Sequence, residues 1–137
     1  MFCIADASDN HQLKRFYTSQ HIWIDNTLDP DEITLGITEF YQDLLGDITY
    51  IQMPTTNKTY NEAERLFVIE SLKSATEFLS PLTGMVTKLN LSLNETPNLI
   101  NHDPFGTGWI CQLRIDKQVK LEQQFMTYMD YELMLDG

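Results

Sequence analysis

At 137 residues the chain has the length of one domain, enough to bury roughly two-thirds of its unfolded surface around a real core. Nine Lys and Arg against 20 Asp and Glu leave a net charge of −11, which repels the phosphate backbone of nucleic acid and an anionic membrane and suits partners with basic patches. Its 42% hydrophobic content excludes a disordered acidic tail, and it has no run of about 18 apolar residues that could span a bilayer.

The first nine residues have no basic region ahead of a long apolar run, so they are not read as a secretory signal. They are too acidic for a mitochondrial transit peptide. Two cysteines, Cys3 and Cys111, are too few for a disulfide scaffold. The expectation is a monomer in a bacterial cytoplasm rather than in the mitochondrial matrix.

In chain order, residues 1–15 are polar and mixed and read as a loose extension. His21-Ile22-Trp23-Ile24 is rich in β-formers and stops at Asp25-Asn26, so a strand enters a turn there. Leu28-Asp29-Pro30-Asp31 is a second turn, and residues 32–37 form the next strand. Thr38 is placed to cap a helix over residues 39–45, and Gly46 to stop it. Residues 47–53 alternate apolar and polar up to Pro54, the pattern of a half-buried strand.

Residues 55–64 read as a polar connection. Leu66-Phe67-Val68-Ile69 is an unbroken apolar run, so that strand is expected to be covered on both sides, with residues 74–79 as its continuation or partner. Pro81-Leu82-Thr83-Gly84 is a turn in which Gly84 is expected to take positive φ. Residues 85–89 are a strand, residues 90–101 hold one or two helical turns broken by Pro97, and residues 103–108 are a loop.

Residues 109–115 are the clearest strand, with Trp109, Cys111, Leu113 and Ile115 on one face. Cys111 is therefore read as a buried small hydrophobe. Residues 119–134 follow helical spacing and predict one amphipathic helix. Several short strands with turn signals make the chain mainly β, a small sandwich or barrel.

Conventional catalytic sets are missing. Gly106-Thr107-Gly108 follows a loop and lacks a third glycine, so it is no phosphate cradle. The three histidines are scattered, and four metal ligands cannot be assembled. Cys111 and His21 could form a nucleophile pair only if Cys111 left the core. No catalytic residue and no metal site is assigned.

One segment differs. Lys73 lies between two β-prone runs and is followed by Ser80-Pro81-Leu82-Thr83-Gly84. A lysine at a strand–turn–strand tip is exposed on a rigid support, and another enzyme could acylate it. A tethered arm then raises the local concentration of its cargo. The turn itself has no Gly, Pro or Asn, so local chemistry does not establish the hairpin.

At this segment the chain resembles lipoyl and biotinyl carrier domains, and among them the glycine cleavage H-protein family. Glu70-Ser71-Leu72-Lys73-Ser74-Ala75 is similar to that family's lipoylation motif. Tyr17-Thr18-x-x-His21-x-Trp23, Gly36-Ile37-Thr38-Glu39, Leu44-Leu45-Gly46-Asp47 and the stretch from Asn101 to Gly108-Trp109-Ile110 resemble its other motifs in order. Leu72 and Ser74 resemble neither the Asp before the lysine in 2-oxoacid dehydrogenase lipoyl domains nor the methionines of biotin domains.

The resemblance implies a flattened β barrel-sandwich hybrid with short helices and a C-terminal helix. Residues 1–15 would be an extension, residues 16–118 the lipoyl-carrier domain, and residues 119–137 a helix packed on it. It implies a non-catalytic carrier with lipoate bound covalently through an amide to Lys73, within the recognition motif Glu70, Ser71, Leu72, Ser74 and Ala75. The implied partners are a glycine decarboxylase (P protein), an aminomethyltransferase (T protein), a dihydrolipoamide dehydrogenase and a lipoate-attaching enzyme.

His21, Ile22 and Phe40 are the implied cleft residues. Here the chain departs from the family, whose opening motif has Glu where Ile22 stands. A carboxylate there would pair with a protonated amine, and Ile22 cannot. A carrier for lipoate relay, or for another lipoyl-dependent pathway, is the alternative expectation.

Overall fold

The computed structural model describes residues 15–137, and of Thr27 and Leu28 only the backbone. Cys3 and residues 1–14 of the expected extension lie outside the described residues. Among the described residues nine strands form two antiparallel sheets: β1 (Arg15–Tyr17), β2 (Ile22–Asp29), β3 (Glu32–Ile37), β4 (Ile48–Gln52), β5 (Thr59–Tyr60), β6 (Arg65–Ser71), β7 (Ala75–Leu79), β8 (Gly84–Leu89) and β9 (Cys111–Arg114). The larger sheet runs β1-β2-β3-β9-β8-β5 and the smaller β4-β6-β7.

The helices among the described residues are α1 (Glu39–Leu45), α2 (Ser92–Glu95), α3 (Leu99–His102), α4 (Leu121–Gln124) and α5 (Tyr128–Asp136). The architecture is the expected mainly β sandwich type with short helices, and neither sheet closes into a barrel.

The two sheets share one core. Ile24, Leu35, Val86 and Leu113 from the larger sheet meet Ile51, Phe67, Ile69 and Phe78 from the smaller. The run Leu66 to Ile69 is buried throughout, as an unbroken apolar strand must be. Trp23 faces the opposite way from Ile22 and Ile24 and joins Tyr17 and Tyr131 in a second cluster. Gly36 sits beneath it, because a Cβ there would come within 2.5 Å of the Trp23 indole. The indole is pinned in turn by Nε1–H donation to the Pro104 carbonyl at 3.0 Å.

Several expectations need correction. Arg15 belongs to β1 rather than to an extension; it is buried, sits 3.5 Å from Asp25 and lies over the Trp23 ring. The polar connection over residues 55–64 hides β5, whose Tyr60 is buried and whose Thr59 pairs with Met85. Gly84 does not have positive φ; a Cβ there would meet the Arg114 carbonyl at 2.9 Å, so lack of space selects glycine. The strand expected from Trp109 begins at Cys111, and Trp109 is only half-buried.

The single C-terminal helix is two. Phe125 is extended, and Met126 pairs with Tyr17 through two backbone hydrogen bonds of 2.9 Å. The edge of β1 needs partners for its amides, and this short segment supplies them. Thr127 then starts α5 by accepting from the Asp130 N–H. Met129 and Leu133, apolar residues of the predicted amphipathic helix, are 72% and 65% exposed.

Candidate functional site

The site is built on the β6–β7 hairpin. Leu72, Lys73 and Ser74 form the tip between paired Glu70 and Ala75. No residue of the tip has positive φ, which explains how it dispenses with glycine. Ser71 does the closing. Its backbone N–H donates to the Ser74 carbonyl at 2.8 Å, and its Oγ accepts from the N–H groups of Lys73 and Ser74 at 3.2 and 3.3 Å. The Leu72 N–H donates to the Asp47 carbonyl at 3.1 Å, tying the tip to the end of α1.

Lys73 is exposed, and among the described residues its ammonium has no hydrogen-bond or ion-pair partner. Its stem runs over Gly46, where a Cβ would lie 3.6 Å from Cε and 3.8 Å from Nζ. Gly46 has φ +77° and ψ −157°, a conformation open to glycine alone. Leu72 beside it is 75% exposed, so an apolar side chain flanks the amine in solvent. Glu70 is exposed; Glu77 is drawn to Arg65 at 3.3 Å in a surface pair of little energetic weight.

α1 is positioned by its caps and by one asparagine. Thr38 Oγ1 accepts from the Tyr41 N–H at 3.3 Å. Asn101 Nδ2 donates to Gln42 Oε1 and to the Gly46 carbonyl, both at 2.9 Å, while its Oδ1 accepts from the Ile48 N–H at 2.9 Å.

The cleft residues separate. His21 adopts φ +71°, its ring stacks on Tyr41 at 4.7 Å, and Phe40 lies 5.5 Å away. Ile22, expected in the cleft, is instead 0% exposed within the core, because it pairs with Ile37 and points opposite to Trp23. Cys111 is fully enclosed, and burial pushes its thiol up to about 12, so it cannot serve as a nucleophile beside His21.

His21 Nδ1 is 2.8 Å from the Tyr131 hydroxyl, which is 2.7 Å from Thr38 Oγ1. A consistent proton order runs from Thr38 to Tyr131 to a neutral His21. Burial lowers the His21 pKa. The unfolded chain therefore takes up this proton first, and stability is full above about pH 6.5 and declines as pH falls toward the lower folded value. The denaturation midpoint is expected to drop between about pH 7.5 and pH 5.5. The drop should shrink in His21→Asn, since asparagine tolerates positive φ. Equal pH slopes in both proteins would remove His21 as the cause.

The glycine cleavage H-protein family model matches residues 15–136. The chain belongs to that family. It is 39% identical over 100 residues to the glycine cleavage system H protein of Thermus thermophilus, covering 73% of this chain and 77% of that one. With the H protein of Mycobacterium tuberculosis it shares 35% identity over 118 residues, 85% and 87% of the two chains. A crystal structure of a glycine cleavage system H protein from Mycobacterium marinum superposes with a TM-score of 0.80 at 26% identity, covering 91% of this chain and 98% of that one.

Family resemblance points to the hairpin, to His21, Ile22 and Phe40, and to Tyr131 as part of a C-terminal helix motif, but not to the contact by which Tyr131 joins His21 to Thr38, nor to Gln20, whose carboxamide bonds to the β7 backbone. No spacing rule relates residues so far apart in sequence.

Proposed function

We propose that this chain is the lipoyl carrier protein of the glycine cleavage system, a non-catalytic subunit with lipoate attached to Lys73. The observation that carries the reading is an exposed lysine, without a hydrogen-bond or ion-pair partner among the described residues, on a hairpin tip closed by Ser71 and tied by Leu72 to the end of α1. An acylating enzyme needs such an amine in solvent on a support that does not yield, and the tip meets both requirements. Once in amide linkage, the group would supply a dithiolane that carries an aminomethyl unit from glycine decarboxylase to the aminomethyltransferase and is reoxidised by dihydrolipoamide dehydrogenase.

The protein's own residues hold and present. Ser71 fixes the tip, the Lys73 stem passes over Gly46 at contact distance, and exposed Leu72 offers apolar contact beside it. Glu70, Ser74 and Ala75 complete the recognition motif around the amine. Conversion of the ammonium to an amide removes one of nine basic groups, deepening the acidic character that suits basic enzyme faces.

Ile22 favours a second reading. With an apolar side chain sealed in the core where the family motif has glutamate, a cationic cargo loses a partner. The protein would then relay lipoate or serve another lipoyl-dependent pathway. Glycine–bicarbonate exchange with the decarboxylase separates the two. Lipoylated protein that supports exchange sustains glycine cleavage; lipoylated protein that cannot sustains relay. A native protein that is never acylated would overturn both.

A further inference from the structure

β7, which carries the C-terminal side of the Lys73 hairpin, is an edge strand of the small sheet. Edge strands expose a row of unpaired N–H and C=O groups and are free to fray or to pair with another chain. Here two groups of that edge are occupied. Gln20 Nε2 donates to the Glu77 carbonyl at 3.3 Å, and the Leu79 N–H donates to Gln20 Oε1 at 3.1 Å. The two partners are two residues apart, the spacing at which one residue of a neighbouring strand would bond. Only a carboxamide offers a donor and an acceptor side by side in this way.

Gln20 is itself held firmly. It lies in the turn between β1 and β2, in which Thr18 Oγ1 accepts from the N–H groups of Gln20 and Ile22 at 3.2 Å each, and the Thr18 carbonyl accepts from the His21 N–H at 3.0 Å. The next residue, His21, is fastened to Tyr131 and through it to the cap of α1. The turn therefore links the lysine hairpin to the larger sheet, α1 and α5.

We propose that Gln20 is a positioning residue. Acting as a one-residue surrogate strand, it holds β7, and with it the Lys73 tip, in the geometry that the acylating enzyme recognises. The proposal rests on Lys73 being acylated. It adds that the edge of β7 is closed to strand addition, so recognition of the hairpin proceeds through its tip and side chains.

The test combines amide exchange with acylation kinetics on the full chain. In Gln20→Ala the Leu79 amide is expected to exchange about tenfold faster, as befits two lost partly exposed hydrogen bonds. The KM for acylation of Lys73 should rise several-fold with kcat within about twofold, the signature of lost binding geometry. Gln20→Glu keeps the acceptor for Leu79 but faces the Glu77 carbonyl with an oxygen, so it should recover Leu79 protection in part and leave KM raised. Unchanged Leu79 exchange in the alanine variant overturns the clamp. Faster exchange with an unmoved KM overturns the positioning role alone. A wild-type chain that is not acylated overturns this role together with the carrier reading, a result distinct from the other two.

Discussion

Lys73→Arg is expected to abolish covalent loading of the protein while leaving its fold intact. Intact-mass measurement on protein from lipoate-replete cells should show one lipoyl adduct on the wild type and none on the variant. The physical reason is nucleophilicity. A guanidinium stays protonated far above neutral pH and cannot form the amide that an amine forms. The fold should not notice the change, because the side chain is exposed, makes no hydrogen bond or ion pair among the described residues, and the tip is closed by Ser71 rather than by Lys73. Thermal midpoints of the two proteins should agree within about 2 °C. Any carrier activity should vanish entirely, since no other lysine sits in this motif. An adduct persisting on Lys73→Arg would move the attachment point elsewhere, and a large loss of stability would mean that the lysine stem does structural service over Gly46.

Phe78→Ala is expected to have the largest effect on stability, about 3–5 kcal/mol. Phe78 is 0% exposed, stacks on Phe67 at 5.0 Å and meets Tyr41 edge-on at 5.7 Å. It is the one fully buried side chain of β7, so it is the bolt that fastens the hairpin to the core and to α1. Removing the ring leaves a cavity between two sheets whose backbones cannot both move in. A domain of this size has roughly 5–15 kcal/mol in total, so about a fifth or more of its stability should go. Denaturant unfolding should show a lower midpoint with an unchanged slope. The neighbouring Leu79→Ala, at a half-exposed position on the other face of β7, should cost under about 1 kcal/mol. Equal losses at both positions would contradict the packing described for this strand.

The contrast between these two residues separates what is legible in a sequence from what is not. The apolar run from Leu66 to Ile69 can only be a strand buried on both faces, and it is one. Thr38 and Gly46 bracket a helix by chemistry that acts within four residues, and both do as expected, one accepting from the Tyr41 N–H and the other taking positive φ. Cys111 follows from the alternation along its strand. The lysine motif was readable only by likeness to a family, since an exposed lysine between two strands is by itself ordinary.

What could not be read were the choices made between distant residues. The hydrophobic spacing over residues 119–134 is compatible with one helix, but the amides of β1 need a partner and take Met126, which splits it in two. Gly84 has a turn-like context, yet its role is set by the Arg114 carbonyl across the sheet. Ile22 reads as a cleft residue by its place in a motif, and the alternation of faces along β2 turns it into the core opposite Trp23. By itself the sequence determined a mainly β, acidic chain, the helix with its two caps, and the motif around Lys73, because those depend on period, composition and neighbours along the chain. Only the tertiary structure decided how the lysine is held: Gln20 reaches β7 across 57 residues, and His21 reaches Tyr131 across 110. Hydrogen bonds over such separations form only after the sheets have packed, so no local rule contains them.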